Sequence, residues 1–389
     1  MEVRRLSEIK LSIVIPCFNE AETIAKCVKQ ALRGIELSGL VGEVLVANNN
    51  SVDDSVRLAK TAGARIVDVY AKGYGNALIG GIEAARGEYV IMGDADLSYD
   101  FEHVPRFLEE LQAGADLVMG NRFLGGIEPG AMPWKNRIIG NPVLSGIGKR
   151  LFNIKIGDFH CGLRAFSKQA YSRMSLNCGG MEFASEMVIR ASLLKMKVKE
   201  VPTVLRVDGR SGAPNLRPWR DGLRHLILML SYNPWKTFYI PGMFIAVPSL
   251  IAIIVLEFGP TRLLGANFDI GSIVVLAMLF LLGSQLMLMA HLTNCYSLVN
   301  GFLLPESSRD KTPIKSGTLV LTGIFFGSIG GLVVLAMTIW WASGGFGDTD
   351  PVTTMRILIP SAIFVLLGMQ LFFNGILQNI LEIPLARKI

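Results

Sequence analysis

Leu11-Ser12-Ile13-Val14-Ile15-Pro16-Cys17-Phe18-Asn19-Glu20 passes from an apolar run to polar residues within a few positions. Leu11–Pro16 reads as a buried strand, and Glu20–Leu37 as a helix entered through Asn19. The same phrase repeats downstream. Glu43–Ala47, Arg65–Val69, Glu88–Met92 and Asp116–Met119 read as further strands. Asp53–Ala62 (with Ser51 as cap), Tyr74–Ala85 and Phe101–Gln112 read as the helices between them. Near-continuous apolar strands alternating with helices predict a mostly parallel α/β sheet covered on both faces. In such sheets ligands bind at the carboxyl ends of the strands. The residues that follow each strand are therefore the candidates for chemistry.

Beyond this region the pattern changes. Residues 121–180 are irregular, rich in Gly, Pro and basic residues; 181–195 reads as a helix. Residues 198–206 read as an edge strand, because Pro202 cannot sit in a central ladder. Asn215–Lys236 mixes Trp219, Trp235, Leu and Arg as a helix lying in a bilayer interface does. Four apolar stretches follow, 237–256, 270–299, 316–341 and 357–381. Each meets the roughly 20 residues that a membrane crossing needs. His291, Asn294 and Asn300 fall in or near the second and read as helix–helix hydrogen-bonding groups. The expected domains are thus 1–214, a helix at 215–236, and a four-span region at 237–389.

Composition agrees. The 389 residues are 51% hydrophobic and 18% charged, and mean hydropathy is +0.43. Soluble domains carry about 25% charged residues. Disorder and nucleic-acid binding are excluded by this greasiness. The net charge of +6 hides three environments. Residues 1–120 hold 12 basic and 18 acidic residues, 121–236 hold 19 and 7, and 237–389 hold 7 of each. Five scattered cysteines without a Cys-x-x-Cys pair, and no secretory leader pattern in Met1–Lys10, suggest reduced thiols in the cytoplasm. Arg309, Lys311 and Lys315 lie in one connecting loop and Arg387 and Lys388 in the tail, so the positive-inside rule places that loop and both termini in the cytoplasm. The expected location is the plasma (inner) membrane, multi-pass.

The sharpest local feature is Gly93-Asp94-Ala95-Asp96 directly after a strand. Two carboxylates one residue apart at a strand end can share Mg²⁺ or Mn²⁺, which completes its shell with substrate phosphates. That suits a nucleotide diphosphate leaving group. Phe18, Asn19 and Glu20 after the first strand, Asn48–Asp53 after the second, and Lys72–Gly75 after the third converge on the same edge.

These motifs, in this order, resemble the glycosyltransferase family 2 enzymes of GT-A (Rossmann-like) fold. They are most similar to polyprenyl-phosphate glycosyltransferases such as the dolichol-phosphate mannose and glucose synthases. The matching pieces are SIVIPCFNE (12–20), VANNNSVDDS (46–55), KGYGNALIGGIEAARG (72–87), MGDADLSYD (92–100), GNRF (120–123), GDFHCGLRAF (157–166), FASEM (183–187) and PTVLRVDGRS (202–211). The resemblance implies that Pro16, Phe18, Glu20, Asn48, Asn49 and Lys72 contact the donor. It also implies that Asp94 and Asp96 bind the metal, with Ser98 nearby. Asn48 and Asn49 stand where relatives have Asp-Asp, and an amide accepts hydrogen bonds without charge assistance. Arg122, Arg137, Arg206, Arg210 and Ser211 match positions around the acceptor phosphate, and Arg122 and Arg206 join Asp94 and Asp96 as catalytic candidates.

The implied reaction is inverting transfer of one sugar, with UDP-glucose the expected donor, to a polyprenyl phosphate. GDP-mannose is the alternative donor, and a lipid hydroxyl the alternative acceptor. A phosphate monoester is mostly dianionic at neutral pH and is already a nucleophile. A hydroxyl would need a base, for which Glu186 and Asp158 are the candidates; His160 reads as structural. A processive synthase is disfavoured because no Gln-x-x-Arg-Trp occurs, and a non-catalytic lipid carrier because both aspartates are present. No nucleic acid is expected as a partner. Four spans suggest a homo-oligomer.

Overall fold

The structure, a computed structural model, describes residues 9–211, 218–263, 265–299 and 314–382. It divides into two units, Met1–Met229 and Leu230–Ile389.

The first unit is built on seven strands: β1 (Leu11–Cys17), β2 (Gly42–Asn48), β3 (Arg65–Asp68), β4 (Tyr89–Met92), β5 (Leu117–Asn121), β6 (Arg164–Ser167) and β7 (Val198–Pro202). They lie in the order β3-β2-β1-β4-β6-β5-β7. All pairings are parallel except those of β6, which runs antiparallel between β4 and β5. Every residue of β1 is buried, as a central strand covered on both faces must be. β7 is an edge, as Pro202 requires.

Besides the one-turn helix Arg122–Gly125, eight longer α-helices accompany the sheet among the described residues of this unit: α1 (Ile24–Ser38), α2 (Ser55–Thr61), α3 (Tyr74–Ala84), α4 (Val104–Gln112), α5 (Asn141–Phe152), α6 (Lys168–Met174), α7 (Phe183–Leu193) and α8 (Pro218–Ser231). α1 buries Ile24, Cys27, Val28, Ala31 and Ile35 at helical spacing and stops at Gly39, whose φ of 68° suits glycine. α1 starts later than its apolar pattern suggests. Asn19 is not its cap: it sits at φ 56° and its side-chain oxygen accepts from Val52 N–H at 2.9 Å, tying the β1 loop to the β2 loop. Ser51 likewise accepts from Asn19 N–H at 3.1 Å, while Asp53 Oδ1 accepts from Ser55 N–H at 3.1 Å at the start of α2.

Residues 121–180 are more ordered than their sequence suggests, since they supply β6, α5 and α6. β6 is four residues long, too short to show a period.

The register sets the site. Cys17 pairs with Asn48 and Val14 with Met92. The loops after β1, β2 and β4 therefore leave the sheet side by side.

The stretch expected to be one interfacial helix over 215–236 crosses the boundary between the units, and residues 215–217 lie outside the described residues. α8 buries Asp221, His225 and Met229 and exposes Leu223 and Ile227. Its inner face is fixed by Ser185 Oγ against His225 Nδ1 at 2.8 Å.

Among the described residues of the second unit, four helices are long and apolar enough to cross a membrane: Trp235–Glu257, Ile270–Val299, Ser316–Ser343 and Pro351–Glu382. The last three are α10, α11 and α12; the first is a π-helical turn, Trp235–Tyr239, running into α9 (Ile240–Glu257). The expected spans are each recovered, the fourth beginning six residues earlier, at Pro351 instead of Ile357. Between α9 and α10 an exposed hairpin, β8 (Thr261–Leu263) with β9 (Ala266–Phe268), occupies what reads as plain loop. α11 and α12 approach closely at Gly323 and Gly368, where an added Cβ would strike the facing backbone. His291 Nε2 lies 3.1 Å from Gln378 Oε1, joining α10 to α12. Asn300, Arg309, Lys311, Arg387 and Lys388 lie outside the described residues.

Candidate active site

The loops at the carboxyl edge of β1, β2 and β4 enclose a cavity of about 530 Å³. Pro16, Phe18, Glu20, Asn49, Lys72, Asp94, Asp96 and Arg210 all line it. Asn48 does not; its amide donates to Asp68 Oδ1 at 2.8 Å at the end of β3.

Asn49 is 7% exposed and its amide is fully engaged. Its Nδ2 donates to Val69 O (2.9 Å) and Ala71 O (2.7 Å), and its Oδ1 accepts from Gly73 N–H (2.8 Å). An aspartate could not make the two donations. Asn49 therefore shapes the segment that presents Lys72 and Tyr74 to the cavity. Gly73 and Gly75 complete that segment: a Cβ on either would overlap the carbonyl oxygens of 178–180.

The acidic wall is Glu20, Asp94 and Asp96. Tyr74, at the start of α3, donates to Asp94 Oδ1 at 2.8 Å. Ser98 N–H donates to Asp96 Oδ1 at 3.0 Å, and Ser98 Oγ bonds the same oxygen. Burial, then the charge of Asp96, pushes the Asp94 carboxyl up. Burial raises Glu20 to about 7, although Arg210 opposes it. Three acidic groups beside one cavity make a strongly electronegative wall.

The arginines behave differently from one another. Arg210 comes from a strap that crosses the Asp96–Asp100 loop, with Arg206 N–H on Ser98 O and Gly209 N–H on Asp96 O, both 2.9 Å. Its guanidinium reaches Glu20 Oε1 at 2.9 Å, Asp96 Oδ2 at 3.3 Å and Asp208. Arg206 pairs with Asp100 at 2.7 Å. Ser211 N–H donates to Glu22 at 2.8 Å, outside the cavity. Arg122 is buried and forked onto Asp158, at 2.6 and 2.8 Å. It does not line the cavity. Arg137 is exposed on a π-helical turn, Asn136–Gly140, before α5.

The residues named as bases are equally committed. Asp158 is 0% exposed and also accepts from Arg122 N–H at 3.0 Å. Glu186 is 0% exposed and Oε2 accepts from the N–H groups of Asn177 (3.0 Å) and Cys178 (2.8 Å). His160 is buried against His225, ring centroids 5.1 Å apart.

Sequence reasoning missed Tyr74, Arg220, Asp221 and Arg224, which also line the cavity. Tyr74 lies inside a quoted motif, but nothing in spacing reveals its reach to Asp94. Arg220 and Arg224 lie four apart on α8, within the basic segment; that i, i+4 spacing was the available signal.

Comparison with known proteins identifies the family. Residues 12–174 match the family described as Glycosyl transferase family 2. Residues 291–382 match the one described as Glycosyltransferase family 2 C-terminal transmembrane region. A low-salt glycan biosynthesis hexosyltransferase of Haloferax volcanii is 33% identical over 376 residues, covering 94% of this chain and 88% of that one. A dolichyl-phosphate hexose transferase of the same organism is 28% identical over 54% of this chain and 89% of its own. An undecaprenyl-phosphate 4-deoxy-4-formamido-L-arabinose transferase of an Enterobacter species is 27% identical over 64% of this chain and 78% of its own. Among solved structures, glucosyl-3-phosphoglycerate synthase from Mycobacterium tuberculosis, crystallised with Mn²⁺ and UDP, aligns with a TM-score of 0.45 at 21% identity over 58% of this chain and 80% of that one. A relative that pairs with nearly the whole chain, together with a family match on the sheet and another on the spans, makes this a membrane glycosyltransferase, and the chain belongs to glycosyltransferase family 2.

Proposed function

We propose that this enzyme transfers a single sugar, glucose from UDP-glucose, with inversion, to the phosphate of a polyprenyl phosphate. The observation that supports a phosphate acceptor is the state of the two carboxylates named as candidate bases for a hydroxyl acceptor. Asp158 is held by Arg122, and Glu186 by backbone N–H groups, and neither lines the cavity. A hydroxyl must lose a proton as it attacks. A phosphate dianion carries its charge already. Its oxygen forms the bond to the anomeric carbon as the bond from that carbon to the donor diphosphate breaks. The electron pair leaves with the diphosphate, and no proton is transferred.

Phe18, 48% exposed at the cavity wall, offers a ring face for a base to stack on. Lys72 adds a cation to the donor side. Asp94 and Asp96 fit Mg²⁺ or Mn²⁺: they are hard oxygen donors lining one cavity, and burial together with the neighbouring Asp96 charge raises the proton affinity of Asp94. Bound there, the ion would neutralise charge on the leaving diphosphate. Asp94 would be oriented by Tyr74 and Asp96 by Ser98.

The relatives named as dolichyl- and undecaprenyl-phosphate transferases support the lipid acceptor. The exposed Leu223 and Ile227 of α8, among arginines, suit a bilayer interface. We place the catalytic unit on the cytoplasmic side by the basic loop residues, and read the spans as a platform for a homo-oligomer. GDP-mannose remains the second donor to test.

The test is radiolabelled transfer from a panel of nucleotide sugars to polyprenyl phosphate in membranes. Label from UDP-glucose is the expected result. If no donor labels the lipid phosphate, the acceptor reading fails; if only GDP-mannose does, the donor reading fails.

A further inference from the structure

We propose that Arg220 and Arg224 of α8, rather than the arginines matched by sequence, hold the acceptor's phosphate. The inference rests on the polyprenyl-phosphate reading above and names the residues that serve it.

Electrostatics set the requirement. A dianionic phosphate has to approach a cavity whose donor side carries Glu20, Asp94 and Asp96. It needs cations that are not already neutralised. Arg122 is locked onto Asp158 at 2.6 Å and lies outside the cavity. Arg206 is paired with Asp100 at 2.7 Å, and the exposed Arg137 does not line the cavity. Arg210 faces the cavity, but three carboxylates, Glu20, Asp96 and Asp208, share its charge.

Arg220 and Arg224 differ on each count. Both line the same cavity as Asp94 and Asp96. They sit one helical turn apart, so both guanidinium groups rise from one face of α8. Their side chains are 53% and 52% exposed. Their carboxylate neighbours are loose: Asp221 at 3.4 Å from Arg220 and Glu182 at 3.8 Å from Arg224. A phosphate can displace such partners, and two guanidinium forks match its oxygens. Buried Asp221 and His225 hold the helix that carries them. The helix also leads in the chain directly to the first span, and its free face shows Leu223 and Ile227.

The experiment uses the full chain in nanodiscs of neutral phosphatidylcholine, so that no anionic headgroup competes. R220Q, R224Q and the double variant are compared with wild type for the KM of polyprenyl phosphate, the KM of the nucleotide sugar, and direct polyprenyl-phosphate binding without donor. Each single change is expected to raise acceptor KM roughly tenfold, the worth of one charge-assisted contact, and the double change more. Donor KM should stay near wild type, and R224K should recover part of the acceptor affinity. Unchanged acceptor KM and binding in the double variant overturn the proposal. So does a donor KM that rises as much as the acceptor KM, since the arginines would then hold the diphosphate. Failure of the wild type to label polyprenyl phosphate from any donor is a separate outcome; it sinks the acceptor reading before a variant is made.

Discussion

Tyr74 donates its hydroxyl to Oδ1 of Asp94 across 2.8 Å, so the helix that follows the third strand holds the carboxylate that follows the fourth. Burial keeps the Tyr74 phenol protonated, which preserves it as a donor. Y74F removes one hydrogen bond to a charged group, about 1.5–3 kcal/mol. We expect kcat/KM to fall by roughly ten- to a hundredfold, and the Mn²⁺ concentration for half-maximal rate to rise. Wild-type kinetics in Y74F would show that Asp94 needs no such support.

Asn49→Asp tests the opposite intuition, because it installs the residue that the family resemblance implies at this position. The carboxylate would face the carbonyl oxygens of Val69 and Ala71, which now receive the amide's protons at 2.9 and 2.7 Å. Two lost donations cost about 1–3 kcal/mol each. The variant should melt at lower temperature and show a raised donor KM. A more active or more stable N49D would mean that the amide reads the donor and does not organise the loop.

Arg210 and a divalent cation compete for Asp96, since the guanidinium reaches Oδ2 at 3.3 Å. R210Q should therefore bind Mn²⁺ more tightly when no donor is present, by roughly tenfold if one charged contact is relieved. Calorimetric titration of the donor-free protein checks this. Weaker Mn²⁺ binding would show instead that Arg210 holds Asp96 in the metal-binding position.

His160 and His225 give a pH dependence with a fixed sign. Burial holds both below the usual histidine range; each other's proximity, Arg122 and Arg164 add to this for His160. Around His225, Glu182 and Asp221 oppose the shift and Arg164 supports it. The unfolded chain takes up these protons near pH 6.5, while the folded one takes them only at lower pH. Their stabilisation is thus complete above about pH 6.5 and is lost as pH falls toward the folded values, by up to about 1.4 kcal/mol per pH unit for each histidine. Thermal unfolding of the detergent-solubilised enzyme between pH 7 and 5 should show this slope, and H160N/H225N should flatten it. An equal slope in both proteins would assign the effect to other groups.

The sequence alone determined the parallel sheet, the spans and the acidic wall. Strand periodicity, unbroken apolar length and the Asp94-x-Asp96 spacing are local properties, so they survive without a fold. β6 was hidden because four residues carry no period, and its antiparallel insertion depends on what lies beside it. The arginines show the same division. Whether 4 residues apart, as Arg206 and Arg210, or 84, as Arg122 and Arg206, all carry the same charge; their use depends on neighbours supplied by distant segments. Asp158 lies 36 positions from Arg122, and Glu20 lies 190 from Arg210. Only the tertiary structure decides which guanidinium is neutralised and which is left for a phosphate. It decides by placing carboxylates, because an ion pair is set by distance in space and not along the chain.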